Sequence, residues 1–150
     1  MSYKCPQCGA QFPAGGNCRD RFALCLAKEF EQPTSYGSVH HLTVACYMLQ
    51  HNLYAREAWL ETREMVAQFI RQGRAPSDVR RQNRKRLDSG QRRWSFTKGT
   101  KIAGLDGIVW TRTIADVRFD TPDLYCADVK LWAAGVLSDT EGMLPASRID

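Results

Sequence analysis

The amino-terminal segment carries the motif Cys-Pro-Gln-Cys-Gly from position 5 to position 9. A Cys-x-x-Cys turn holds its two sulfurs roughly 3.5–4 Å apart, which suits two corners of a tetrahedral zinc site with Zn–S bonds of about 2.3 Å. A third cysteine, Cys18, stands at the start of a predicted helix, where the helix dipole favours a thiolate. The pattern therefore predicts a Zn²⁺ site in which Cys5, Cys8 and Cys18 are ligands.

The fourth ligand is predicted on a helix that carries every histidine of the chain, between residues 39 and 51. Apolar residues recur over three turns of this stretch, as expected for a helix that packs on a core. We predict that His40 is the ligand. His41 points about 100° away from it, and His51 lies about 16 Å further along a continuous helix. His41, Gln50 and His51 are then candidates for the surroundings of the metal or for a nearby pocket.

The cysteines have other possible roles besides metal binding. A thioredoxin-type redox pair needs a preceding strand, and the sequence indicates none. Cys25 and Cys46 are alternatives for the fourth ligand, but with Cys126 they fit buried packing positions on apolar helix faces. Three thiolates and one imidazole form a closed site that leaves no position for water or substrate, so we expect a structural metal.

The hydrophobic periodicity predicts a mainly α-helical fold, a small bundle on which the Cys-x-x-Cys zinc-knuckle loop packs. The predicted helices occupy residues 17–31, 39–51, 54–72 and 122–137, with Ser38 as the cap of the second. A chain of 150 residues is expected to form a single domain over 1–150. Its parts are the knuckle loop and first helix (1–37), the histidine-bearing helices (38–73), a basic insertion (74–101) and a carboxy-terminal helical part (102–150).

The chain contains no run of about 18 apolar residues, so no membrane span is expected. The first 18 residues lack the apolar core and cleavage site of a signal peptide. These observations predict a cytoplasmic protein, in whose reducing surroundings a close cysteine pair favours a metal over a disulfide.

Positive charge is concentrated between residues 71 and 101, where eleven basic and two acidic residues give a net +9 against +5 for the whole chain. Such a run is typical of a solvated, flexible segment, and it is also typical of a nucleic-acid-binding patch. Trp94 and Phe96 lie nearby and are suited to stacking on bases. The candidate contacts are Arg80, Arg81, Arg84, Lys85, Arg86, Arg92 and Arg93.

The same motifs resemble a bacterial family, domain of unknown function 5946. The resemblance rests on the Cys-Pro-x-Cys-Gly-Ala segment, on Cys18 before a helix, and on Val-His-x-Leu-Thr-Val-x-x-Tyr-x-x-Gln-His over residues 39–51. It covers most of the chain except residues 74–100. The family usually lacks a histidine at position 41, which favours His40 over His41 as the ligand. It implies a role for His51 without defining it, and it implies no activity.

These observations favour a small zinc-binding protein that works as a binding or interaction protein, with a protein or nucleic acid as partner. One alternative is a metal-dependent enzyme with His51 near its pocket, so whether the chain is an enzyme stays open. The other is a nucleic-acid-binding module that uses the arginine-rich segment. A Ser-His-Asp order, a phosphate loop and a dinucleotide fingerprint are all absent from the sequence.

Overall fold

The computed structural model describes residues 3–13, 15–73 and 105–141, and the fold over these ranges is mainly α-helical, as predicted. A short antiparallel hairpin pairs β1 (Tyr3–Lys4) with β2 (Gln11–Phe12), and Tyr3 lies opposite Phe12. In the described ranges the chain forms four α-helices: α1 (Cys18–Glu31), α2 (His40–Gln50), α3 (Arg56–Gln72) and α4 (Pro122–Asp139).

The described part also contains three single turns of 3₁₀ helix, at Tyr36–Val39, Leu105–Gly107 and Ile114–Asp116. The basic insertion (74–101), within which residues 77–87 are predicted to be either a short polar helix or disordered, lies outside the described residues. None of the helices in the described part combines the length and the hydropathy that a bilayer crossing demands.

Side-chain caps mark the starts of two helices in the described part, α1 and α4, and a glycine marks the end of α3. The side chain of Asn17 accepts a hydrogen bond from the backbone N–H of Asp20 at the start of α1. Thr121 caps α4 in the same way, ahead of a proline in the first turn. Gly73 ends α3 in the left-handed conformation at φ 68°.

The start of α2 differs from the prediction that Ser38 caps it. The 3₁₀ turn Tyr36–Val39 runs directly into α2, so Val39 occupies the cap position and makes no side-chain cap bond. The hydroxyl of Ser38 instead lies 3.4 Å from the sulfur of Cys126 on α4. A helix that continues an existing turn has some of its first N–H groups oriented already, which removes the need for a cap.

The core forms where α2 and α3 pack against α4. Trp59, Trp132, Leu42 and Leu49 are fully buried there, and burial of each such side chain contributes roughly 1.5–3 kcal/mol. Gln50 crosses this core: its amide donates to the Arg112 carbonyl at 2.7 Å and accepts from the Trp132 indole at 3.0 Å. The only polar group of a buried tryptophan is thereby satisfied.

Helices α1 and α2 form an antiparallel pair, and this pairing positions the functional residues. The last turn of α1 meets the first turn of α2, where Glu29 lies 2.7 Å from His40. At the opposite end, Cys18 at the start of α1 lies beside His51, which follows α2. The two ends are separated by about 16 Å, the rise of eleven helical residues.

Candidate metal centre

Three sulfurs and one imidazole converge between the hairpin and the α1–α2 pair. The ligand atoms of Cys5, Cys8, Cys18 and His51 all lie within 4.8 Å of one another. The Cys8 and Cys18 sulfurs are 3.4 Å apart, and the Cys5 sulfur is 3.6 Å from Nε2 of His51. A tetrahedron with Zn–S bonds of about 2.3 Å has edges of about 3.8 Å, so the spacing fits a single ion.

The hairpin fixes the first two cysteines. The N–H of Cys5 donates to the Ala10 carbonyl, the N–H of Gly9 donates to the Cys5 carbonyl, and both distances are 2.9 Å. Gly9 has φ 79°, a conformation that L side chains rarely adopt. The N–H of Cys8 points at the sulfur of Cys5 at 3.5 Å. The predicted knuckle loop is therefore a turn between two paired strands, which sets both thiols on the same side.

His51 is oriented by the last turn of α2. Its Nδ1 lies 2.7 Å from the carbonyl oxygen of Tyr47. A carbonyl only accepts hydrogen bonds, so Nδ1 carries a hydrogen and Nε2 is the ring nitrogen that faces the sulfurs. This arrangement, in which the second ring nitrogen is bonded to a backbone oxygen, is the usual support of a metal-binding histidine.

Aromatic rings close the side of the cluster next to His51. The ring of Tyr47 stacks on the His51 ring with centroids 4.2 Å apart and on the Phe22 ring with centroids 3.9 Å apart. The four ligand residues are between 2% and 5% exposed. The site is thus shielded from water, which strengthens electrostatic attraction between thiolates and a cation.

The thiols influence each other's ionisation. A hydrogen bond from the Cys18 thiol lowers the pKa of Cys8 well below the ordinary thiol value; burial opposes this shift, and His51 adds to it. The same hydrogen bond raises the pKa of Cys18, which retains the shared proton. The pair therefore favours one thiolate before any ion binds, and binding of a metal ion releases the remaining proton.

The structure places His51 beside the three cysteines, whereas the predicted fourth ligand is His40. The three cysteines come together as predicted, but His51, not His40, lies beside them. His40 is at the far end of α2, where its Nδ1 faces Glu29. Because α1 and α2 are antiparallel, Cys18 at the start of α1 can meet only the carboxyl end of α2.

Two other predicted site residues on α2 make contacts within the fold. The ring of His41 packs edge-on against Phe69, with 4.8 Å between the ring centroids. The side chain of Gln50 forms hydrogen bonds within the core. Neither is a member of the cluster.

The remaining cysteines also lie apart from the cluster. Cys25 and Cys46 are fully buried, as their predicted packing role requires, and Cys126 is half-buried. The candidate nucleic-acid contacts, Arg80 to Arg93, lie outside the described residues.

The donor set could hold a metal ion. Three soft thiolates and one imidazole match the Cys₃His type, in which all four positions belong to the protein. An ion held by these four residues would join the hairpin, the start of α1 and the end of α2. The Trp110 indole adds a further tie, because it donates to the Gln7 carbonyl at 3.2 Å.

Comparison with known proteins identifies the family and no more. The sequence model of the family of unknown function DUF5946 matches residues 3–141, so the chain belongs to this family, as the motifs indicated. No curated protein and no solved structure matches the chain.

Proposed function

We propose that this member of the DUF5946 family binds one Zn²⁺ ion through Cys5, Cys8, Cys18 and His51, and that the ion is structural. The observation that supports this proposal is the convergence of four buried donors within 4.8 Å. The set contains no carboxylate, whereas hydrolytic zinc sites usually combine histidines with carboxylates and keep one position open for water.

The energetic contribution of the ion is large on the scale of this fold. Zinc binding to finger peptides releases about 10–16 kcal/mol, and a typical domain has a free energy of unfolding of about 5–15 kcal/mol. The hairpin itself has two residues in each strand, and an isolated hairpin of any length is marginal in water. We infer that zinc holds the hairpin on the helices.

We propose further that the chain acts in the cytoplasm as a binding or interaction protein. In support, both ring nitrogens of His51 are engaged, Nδ1 by a carbonyl and Nε2 by the thiol cluster. His51 is then unavailable as the acid or base of a metal-dependent enzyme. A nucleic acid stays a candidate partner because of the net +9 between residues 71 and 101.

Metal analysis of the purified chain tests the zinc proposal. We expect one zinc per chain, and a cobalt-substituted sample with the thiolate-to-metal charge-transfer bands of a thiolate-rich tetrahedral site. Cys8→Ser should lose the ion and melt at a lower temperature.

Cys126→Ser is the matched control, because Cys126 is a half-buried cysteine outside the cluster. It should keep the zinc. A Cys8→Ser protein with full zinc content and an unchanged melting temperature would contradict the proposal.

A further inference from the structure

A buried carboxylate and an exposed histidine form a pair at the end of α1 and α2 that lies away from the metal cluster. Glu29 is 2% exposed, and its Oε1 lies 2.7 Å from Nδ1 of His40. Its Oε2 accepts hydrogen bonds from the hydroxyls of Thr43 at 2.6 Å and Tyr125 at 2.5 Å. Two hydroxyl donors occupy Oε2, and an imidazole is a stronger base than a carboxylate, so Nδ1 of His40 carries the hydrogen and donates it to Oε1.

This hydrogen bond determines which hydrogen-bonding group His40 offers at the protein surface. A neutral imidazole with its hydrogen on Nδ1 has its lone pair on Nε2. The side chain of His40 is 57% exposed and that of Glu29 is 1% exposed, so the ring extends from the buried carboxylate toward solvent. A carboxylate bonded to Nδ1 fixes the tautomer and orientation of an imidazole. In the neutral ring, Nε2 is thereby an oriented hydrogen-bond acceptor.

A groove of about 580 Å³ adjoins this pair. Glu29 and His40 line it together with residues that offer apolar side chains or bare backbone, namely Leu26, Ala27, Phe30, Pro33 and Gly37. The side chain of Phe30 is 88% exposed, unusually open for a phenylalanine. Sites for small molecules have volumes of about 300–1,000 Å³ and combine apolar walls with a few placed polar groups. The groove has both properties.

We propose that this groove binds a small, uncharged, mainly apolar molecule with one hydroxyl of the phenol or alcohol type, and that the hydroxyl donates to Nε2 of His40. The acceptor nitrogen selects a donor. The carboxylate of Glu29 behind the ring disfavours an anion, and the apolar walls supply nothing to solvate a charge. The site is independent of the zinc proposal, because it lies about 16 Å away along the helices.

Three matched probes test the proposed ligand class: p-cresol, toluene and p-toluate share a methylated ring and differ in carrying a hydroxyl, a hydrogen or a carboxylate. Each is titrated into the full-length chain, and binding is followed by NMR. We expect saturable shifts from p-cresol at residues 26–40. Its affinity should exceed that of toluene by about three- to tenfold, the value of one hydrogen bond, and p-toluate should bind more weakly than p-cresol.

Two measurements assign the hydroxyl to His40. In His40→Ala the preference for p-cresol over toluene should disappear, while His41→Ala, its neighbour on α2, should retain it. In the wild-type chain the Nε2 resonance of His40 should move on addition of p-cresol and Nδ1 should stay nearly unchanged, a readout that needs no variant. Absence of saturable binding, stronger binding of p-toluate, a preference that survives in His40→Ala, or an unmoved Nε2 resonance would each overturn the proposal.

Discussion

Replacing His51 by alanine removes one of four donors, and the cost can be worked from that number. An even share of the roughly 10–16 kcal/mol of zinc binding is about 2.5–4 kcal/mol per donor. At about 1.4 kcal/mol for each factor of ten, zinc affinity should fall by about 10²- to 10³-fold. Competition for zinc with a chromophoric chelator measures this loss directly.

The same substitution has a thermal consequence. A 100-fold loss of affinity at a fixed, saturating zinc concentration removes about 2.7 kcal/mol of stabilisation. For a domain of about 150 residues, each kcal/mol moves the melting temperature by about 2–4 °C, so a decrease of about 5–11 °C is expected. The melting temperature of the zinc-free protein should fall less.

His40→Ala is the control for this experiment, since it removes a histidine from the other end of the same helix. It leaves Glu29 without its imidazole partner, so the melting temperature should fall while zinc affinity stays within about threefold of wild type. The reasoning is refuted if His51→Ala binds zinc as tightly as wild type, or if His40→Ala releases the ion.

Two further substitutions test the contacts that hold α4 in place. Arg63→Met removes the guanidinium that donates to the Leu137 carbonyl at 2.8 Å near the end of α4. The free energy of unfolding, measured in urea, should fall by about 1–3 kcal/mol. A decrease below about 0.5 kcal/mol would show that this hydrogen bond does not stabilise the fold. Asp128→Asn weakens the pairing with Arg118, whose hydrogen bonds lower the pKa of Asp128 below its unfolded value. A carboxylate whose pKa is lower in the folded state stabilises the fold at pH values above its unfolded pKa, and this stabilisation is lost as the pH falls through its folded pKa. Asp128→Asn should therefore lower the melting temperature at pH 7. The difference in melting temperature between wild type and variant should shrink in acid below about pH 4. A difference that is the same at both pH values would contradict this assignment.

The local features of the fold could be predicted from the sequence because they depend on neighbouring residues. Asn17 and Thr121 cap their helices, and Gly73 ends α3, as short-range patterns indicate. The convergence of Cys5 and Cys8 is likewise a property of four consecutive residues.

The choice between His40 and His51 depended on a tertiary relation. Their separation of about 16 Å correctly excluded a shared site, but it left open which end of α2 faces the cysteines. The connection between α1 and α2 spans only eight residues, from 32 to 39, and short connections favour antiparallel neighbours. An antiparallel arrangement of α1 and α2 places Cys18 beside His51.

The environment of the polar residues on α1 and α2 is the least predictable from the sequence. Gln50 is a predicted pocket residue, but its side chain forms hydrogen bonds in the core with the Trp132 indole and the Arg112 carbonyl. Both partners are distant from it in the sequence. Glu29 reads in the sequence as one more charged residue of α1. Its burial depends on Thr43 and Tyr125, and Tyr125 is 96 positions away.

X-ray absorption at the zinc edge of the purified chain is the most direct test of the central claim. A site made of Cys5, Cys8, Cys18 and His51 predicts one zinc per chain with three sulfur neighbours at about 2.3 Å and one nitrogen at about 2.0–2.1 Å. A chain that carries no zinc, or a first shell with two or more oxygen or nitrogen neighbours, would contradict it.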